Sequence, residues 1–226
     1  GLILTVKHQD GFCLWPSAYT DHCVSASKWK DGKGDVVAEC AAACREFGIK
    51  FGVYLSIWDR HEETYGTPAY NDFFKNLLRE LLTAYGDIFC VWLDNTGCGD
   101  SVLDHDMEGW VKLIRELQPN AVIAGCGCDV RWCGNEVGVC RRSEWSVVPY
   151  YYSDLEAARL AGQADVSKPP KKINSAALDL GSRKAIKACS RLIWYPAEVN
   201  MPLRKGWFYH PDDDYNVKPL SKIAEV

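Results

Sequence analysis

In residues 89–97, FCVWLDNTG, a run of apolar residues ends in a carboxylate, Asp94, and the loop formers Asn95 and Gly97 follow. Such a run reads as a strand buried on both faces, and an acid leaving it stands at the carboxyl end of a parallel sheet, where α/β folds build their sites. The bland alternative is an acid that only caps a loop. Other strand-like runs also end in reactive or hydrogen-bonding groups. GLILTV (1–6) leads into Lys7, His8, Gln9 and Asp10; KFGVYL (50–55), which contains Tyr54, leads into Trp58, Asp59, Arg60 and His61; AVIAG (121–125) leads into a loop with Arg131, Glu136 and Glu144. Two carboxylates from different strand ends, Asp94 and Glu136, among aromatics and neutral hydrogen-bonding groups and without a Ser/His/Asp set, fit glycoside hydrolysis. One acid would act on the anomeric carbon and the other on the glycosidic oxygen.

The elements that must position these residues follow from periodicity. Asp35 caps a helix with Val36, Val37, Cys40, Ala43, Cys44 and Phe47 on one face and Gly48 as its stop. A second helix over 69–85 has Phe73, Phe74, Leu77, Leu78, Leu81 and Leu82 as its apolar stripe, and a third over 106–117 carries Trp110, Leu113, Ile114 and Leu117. Strict strand-helix alternation implies a parallel sheet, either open and doubly wound or part of a (β/α)8 barrel. No G-x-G-x-x-G or G-x-x-x-x-G-K-[ST] follows a strand, which disfavours a nucleotide-binding open sheet. The strand ends favour a partial, TIM-like (β/α)8 barrel, a single catalytic domain over 1–226 that is incomplete and truncated at both ends. Beyond Gly125 the pattern loosens into a long aromatic loop (125–152). Residues 151–190 form an insertion with a helical pattern at 154–161, and a fifth strand is expected at 191–194.

Composition bounds the partners. A net charge of −4 and a pI near 5.8 give no electrostatic footprint for nucleic acid or an anionic membrane. No apolar run approaches the roughly 18 residues of a membrane span. Nine Trp and eleven Tyr are more than a core of this size needs, and many adjoin Gly, Asp or Pro. Loop aromatics suit sugar binding, because the C–H faces of a pyranose lie against aromatic rings while its hydroxyls meet polar groups, with core packing as the alternative for most of them. The Cys126, Cys128, Cys133 and Cys140 set lacks the usual zinc spacing and has no His nearby; Cys40 and Cys44 lie four apart on a helix and Cys90 within a strand, so buried free thiols are the expectation for these and no metal or other cofactor is invoked.

Six segments, KHQDGFCLWPSAYTD (7–21), KWKDGKGDVV (28–37), KFGVYLSIWDRH (50–61), YGDIFCVWLD (85–94), DVRWCGNEVG (129–138) and YPAEVNMPLRKGWFYH (195–210), resemble in that order the catalytic domain of retaining α-L-fucosidases of glycoside hydrolase family 29. The resemblance implies an exo-acting enzyme that releases terminal fucose from a fucosylated oligosaccharide or glycoconjugate. Asp94 falls on the family's nucleophile and Glu136, in RWCGNE, on the acid/base, with Glu144 as the rival for that role. His8 and the next position match paired histidines that hydrogen-bond the fucose hydroxyls, and Tyr54 and Trp92 match residues of the sugar pocket. Trp58, Arg131 and Trp207, all in matched segments, complete the expected sugar contacts.

The chain departs from the pattern at Gln9, which is neutral at every pH but keeps a donor and an acceptor, and at Asn95, which tolerates a left-handed turn. The family also has an earlier strand bearing a sugar-binding His and further barrel strands, so this piece alone is expected to be inactive or weakly active. The family suggests a secreted, periplasmic or lysosomal setting. A rival reading from another class is a fucose-binding relic of such an enzyme.

Overall fold

The computed structural model describes residues 1–94, 105–125, 129–150, 179, 181–189 and 191–224. They fall into two compact units, Gly1–Asp129 and Val130–Val226.

The first unit is an α/β layer structure. Strands β1 (Leu2–Lys7), β2 (Phe51–Ser56), β3 (Cys90–Asp94) and β4 (Val122–Gly125) form a parallel sheet in the order β1-β2-β3-β4. Helices α1 (Val36–Glu46), α2 (Ala69–Ala84) and α3 (Met107–Leu117) alternate with them. Because all pairings are parallel, Lys7, Ser56, Asp94 and Gly125 close the strands at the same end of the sheet. Strand β3 is buried except at the half-buried Trp92, close to what its apolar run predicts, and Asp94 is its last residue. Strand β1 differs: Leu2 and Ile3 are 40% and 39% exposed and only Val6 and Lys7 are fully covered, because β1 is an edge of the described sheet.

The helices follow their caps and stripes. The Asp35 carboxylate accepts the Ala38 N–H at 2.8 Å, a cap whose loss costs about 1 kcal/mol. The face of α1 that reaches the core is Val37, Ala41 and Cys44, whereas Ala43 and Phe47 point outward, Phe47 at 72% exposure. Val37 and Cys44 of the expected stripe are thus buried and Cys40 packs against the core, while Ala41 takes the place expected of Ala43 and Phe47. Helix α2 buries Tyr70, Phe74, Leu77, Leu78, Leu81 and Leu82, each large side chain stabilising by roughly 1.5–3 kcal/mol. The Phe74 ring meets Trp110 of α3 at 4.3 Å between centroids. Trp15, a loop aromatic, also belongs to this core; its indole N–H donates to Glu80 of α2 at 2.8 Å, and Ser17 Oγ and the Ala18 N–H reach the same carboxylate at 2.8 and 2.7 Å. The long loop after β1 is thereby anchored.

The second unit has shorter elements. Strand β5 (Arg131–Trp132) pairs in parallel with β8 (Ala197–Glu198), and β6 (Val147–Pro149) pairs antiparallel with β7 (Leu192–Trp194). The long aromatic loop thus contributes two strands. The strand expected at 191–194 exists, but it answers residues 147–149 in a two-stranded ladder and does not extend the parallel sheet. Helix α4 (Arg183–Ala188) is capped by Ser182, whose Oγ accepts the Ala185 N–H at 3.2 Å, and α5 (Leu220–Ala224) is the last helix described. The helical pattern at 154–161 lies outside the described residues.

Candidate active site

Side chains alternate along a strand, so in the β2–β3 register Tyr54 sits beside Trp92, and Asp94, two residues on from Trp92, shares their face. The opposite face, Val53, Leu55, Val91 and Leu93, is fully buried. The Tyr54 and Trp92 rings stack at 5.0 Å with 14° between planes, and the His8 ring stacks on Tyr54 at 5.7 Å and 9°. The Tyr54 hydroxyl donates to Asp94 Oδ2, and Asp94 is 8% exposed. Four sequence-predicted residues, His8, Tyr54, Trp92 and Asp94, therefore meet at the carboxyl end of the sheet. The Tyr54 hydroxyl restrains the orientation of the Asp94 carboxylate.

The neighbouring strand ends are clamped by a pair that sequence reasoning did not join. Lys7 Nζ and Asp59 Oδ2 form a buried ion pair at 2.7 Å. The other Asp59 oxygen accepts the backbone N–H groups of His61 and Glu62 at 3.0 and 2.9 Å. Burial alone would raise the Asp59 carboxyl; the Lys7 ammonium and these N–H donors outweigh it and hold it below the ordinary Asp range. Gly11, at φ +79°, leaves room for this carboxylate, because a Cβ there would lie 2.4 Å from Asp59 Oδ1. The one sequence signal for the pair is Lys7 itself, a charge continuing a strand next to the fully buried Val6, where it demands a partner. Partner and Lys are 52 residues apart, so no local pattern names Asp59.

Gln9 and Trp58 belong to the clamped loops. The Gln9 carbonyl accepts the Arg60 N–H at 2.9 Å, the Arg60 guanidinium lies 5.9 Å from the Trp58 ring centroid, and the Trp58 carbonyl accepts Ser56 Oγ at 3.0 Å. Among the described residues no ring contact joins Trp58 to the His8–Tyr54–Trp92 stack. His22 and His61 stack at 3.9 Å, linking the two loops a second time. Asn95 and Thr96, and Cys126 and Cys128, lie outside the described residues.

In the second unit the remaining candidates part into two environments. Arg131 is buried: its Nε donates to the Tyr195 carbonyl, Nη1 to Glu144 Oε1 and Nη2 to the Trp145 carbonyl. Arg141 Nε adds a second cation to Glu144 at 2.7 Å. Burial would raise the Glu144 carboxyl, but hydrogen bonds and charge from Arg141 and Arg131 hold it below the usual carboxylate range. Glu136 instead lies exposed on a turn braced by Asn135, whose Oδ1 accepts the Val137 and Val139 N–H groups at 3.1 and 3.3 Å. Its Oε2 accepts the indole N–H of Trp207 at 3.0 Å.

Comparison with known proteins matches residues 2–144 to the family model described as Alpha-L-fucosidase. Alpha-L-fucosidase 1 of Arabidopsis thaliana is 40% identical over 228 residues, which cover 100% of this chain and 40% of that protein. The chain thus spans less than half the length of this curated relative. A crystal structure of a glycoside hydrolase 29 family member from an unknown rumen bacterium superposes with a TM-score of 0.78 at 39% identity, over 100% of this chain and 39% of that one. A Ruminococcus gnavus GH29 fucosidase in complex with fucose superposes with a TM-score of 0.75 at 27% identity, over 99% and 46%. With the family model matched from strand β1 through Glu144, the chain belongs to the alpha-L-fucosidase family.

Proposed function

We propose that the protein releases terminal α-L-fucose from fucosylated glycans with retention, with Asp94 as nucleophile and Glu136 as acid/base. The reading rests on one observation above all: Asp94 ends β3 with the Tyr54 hydroxyl on its carboxylate, in a chain of this family. In the first step an Asp94 oxygen bonds to C1 of the fucose while the C1–O bond to the aglycone breaks and Glu136 gives its proton to the departing oxygen. In the second, Glu136 takes a proton from water, the water oxygen bonds to C1, and the bond to Asp94 breaks, restoring both carboxyl groups.

Glu136 is preferred to Glu144 on electrostatic grounds. A general acid must hold a proton at the working pH, and the two arginines around Glu144 favour its ionised form. The His8–Tyr54–Trp92 stack supplies an aromatic wall and hydrogen-bonding edges for a sugar, with Gln9 and Trp58 as further contacts, whereas the buried Arg131 guanidinium is taken up by Glu144 and two carbonyls. That the Ruminococcus gnavus relative binds fucose supports the substrate class. The four parallel strands are read as part of a (β/α)8 barrel within a single catalytic domain.

The test is release of an aryl α-L-fucoside by the full-length protein, by Asp94→Ala and by Asp94→Ala with azide. Hydrolysis that Asp94→Ala abolishes and azide restores as the fucosyl azide agrees with the reading. A protein that binds fucose but releases no phenol at micromolar concentration is a fucose-binding relic, and the enzymatic reading fails.

A further inference from the structure

We infer that Trp207 is a positioning residue that dictates which oxygen of Glu136 carries the catalytic proton. The inference rests on the reading of Glu136 as acid/base. Trp207 belongs to the same compact unit as Glu136, and its indole N–H lies 3.0 Å from Glu136 Oε2. An indole N–H is a donor only. It can satisfy a carboxylate oxygen in the ionised state and the carbonyl oxygen in the protonated state, and the hydroxyl oxygen of a protonated carboxyl is the poorer acceptor. With the indole on Oε2, the proton is therefore steered to Oε1, and Glu136 keeps one orientation through both steps, giving the proton to the leaving oxygen and later taking one from water at the same atom.

The backbone holds this arrangement from both sides. Arg131 and Trp132 pair with Ala197 and Glu198, and the ladder continues irregularly through the Cys133 N–H to the Glu198 carbonyl and the Gly138 N–H to the Asn200 carbonyl, both at 3.1 Å. The segment that carries Glu136 is thus laced along the segment that leads to Trp207. Asn135 meanwhile fixes the turn beside Glu136, its Nδ2 donating to the Val139 carbonyl at 2.5 Å. Trp207 is 53% exposed, so its ring is not a core member whose packing would explain its orientation.

The experiment compares kcat/KM on a series of aryl α-L-fucosides, from dinitrophenyl to phenyl, for the full-length protein, Trp207→Phe and Glu136→Ala. A second replacement of Trp207, by benzothienylalanine, keeps the ring shape and removes only the N–H. A good leaving group needs no acid and a poor one does. Both Trp207 replacements are expected to lose about 10-fold on the phenyl glycoside and less than about 2-fold on the dinitrophenyl glycoside, with unchanged inhibition by free fucose, the size of one hydrogen bond to a charged group. A uniform loss along the series, or a loss confined to KM, would make Trp207 a sugar contact or a structural residue and overturn the inference. Glu136→Ala separates the layers. If it steepens the leaving-group dependence while the Trp207 variants do not, only the inference falls; if it leaves that dependence unchanged, the assignment of Glu136 falls and the inference with it.

Discussion

The buried Asp59 of the first unit and Glu144 of the second balance cations, whereas the two proposed catalytic acids, Asp94 and Glu136, each accept from an aromatic side chain. Asp59 in the first unit meets Lys7, and Glu144 in the second meets Arg131 and Arg141. Both are held below the ordinary carboxylate range. Asp94 accepts the hydroxyl of Tyr54, and Glu136 accepts the indole N–H of Trp207. An acid whose charge balances a buried cation cannot become an ester or take up a proton without stranding that cation. A carboxylate held by a neutral donor can do either and keep its hydrogen bond. A neutral donor does not by itself mark a reacting acid, since Glu80 accepts the Trp15 indole N–H and anchors a loop; it is the buried cation that argues against a reacting role for Asp59 and Glu144.

The sharpest way to break this comparison is to remove one acid of each kind. Asp94→Ala is expected to lower kcat on the order of 10⁴-fold or more in the full-length protein while thermal unfolding stays near that of the parent. Glu136→Gln is expected to cost about 10²–10⁴-fold on a phenyl glycoside, again without unfolding. The cation-bound acids should behave in the opposite way. Lys7→Met leaves Asp59 buried and uncompensated and should cost about 3–5 kcal/mol in urea denaturation, with kcat per folded molecule far less affected than in Asp94→Ala. Tyr54→Phe sits between the two classes, with an expected loss of about 10- to 100-fold in kcat/KM, the worth of a hydrogen bond to a charged group, and little change in stability. If Lys7→Met destroyed catalysis in a fully stable protein, the division would be wrong.

The smallest effect is a pH dependence. The folded-state pKa of Asp59 and of Glu144 is depressed, so the stability each contributes is present above its unfolded pKa, near about 4, and is lost as pH falls through the lower folded value. Acid denaturation monitored by circular dichroism should begin in this window, and the double variant Lys7→Met, Asp59→Asn should flatten its onset.

What could be read in the sequence was local. The α2 stripe repeats every three or four residues, so Phe74, Leu77, Leu78, Leu81 and Leu82 declare themselves, and Asp35 declares a cap because its side chain bonds three residues on. Asp94 was visible because a buried strand that ends in an acid is uncommon. Contacts between distant segments were not visible. Asp59 opposite Lys7 and Glu80 beneath Trp15 depend on which helix and loop pack together, and composition alone leaves a loop aromatic open to sugar binding or core packing, the latter being where Trp15 goes. Strands of two or three residues, such as 131–132 and 147–149, are too short to show a period, and their partners lie near residue 195. The margin of the α1 face has a related origin: the stripe includes the buried Val37 and Cys44, but Val36, Ala43 and Phe47 are also apolar enough for the core, and only the packed sheet decides that Ala41 takes the remaining place.

The measurement that bears most directly on Asp94 is covalent trapping. The full-length protein is incubated with a fluorinated α-fucosyl fluoride that forms the glycosyl-enzyme quickly and hydrolyses slowly, then digested and sequenced by mass spectrometry. One fluorofucosyl adduct on the peptide that contains Asp94, absent from Asp94→Ala, is the predicted result. An adduct on a peptide bearing Asp59, Glu136 or Glu144, or turnover with inversion and no adduct, would contradict the account.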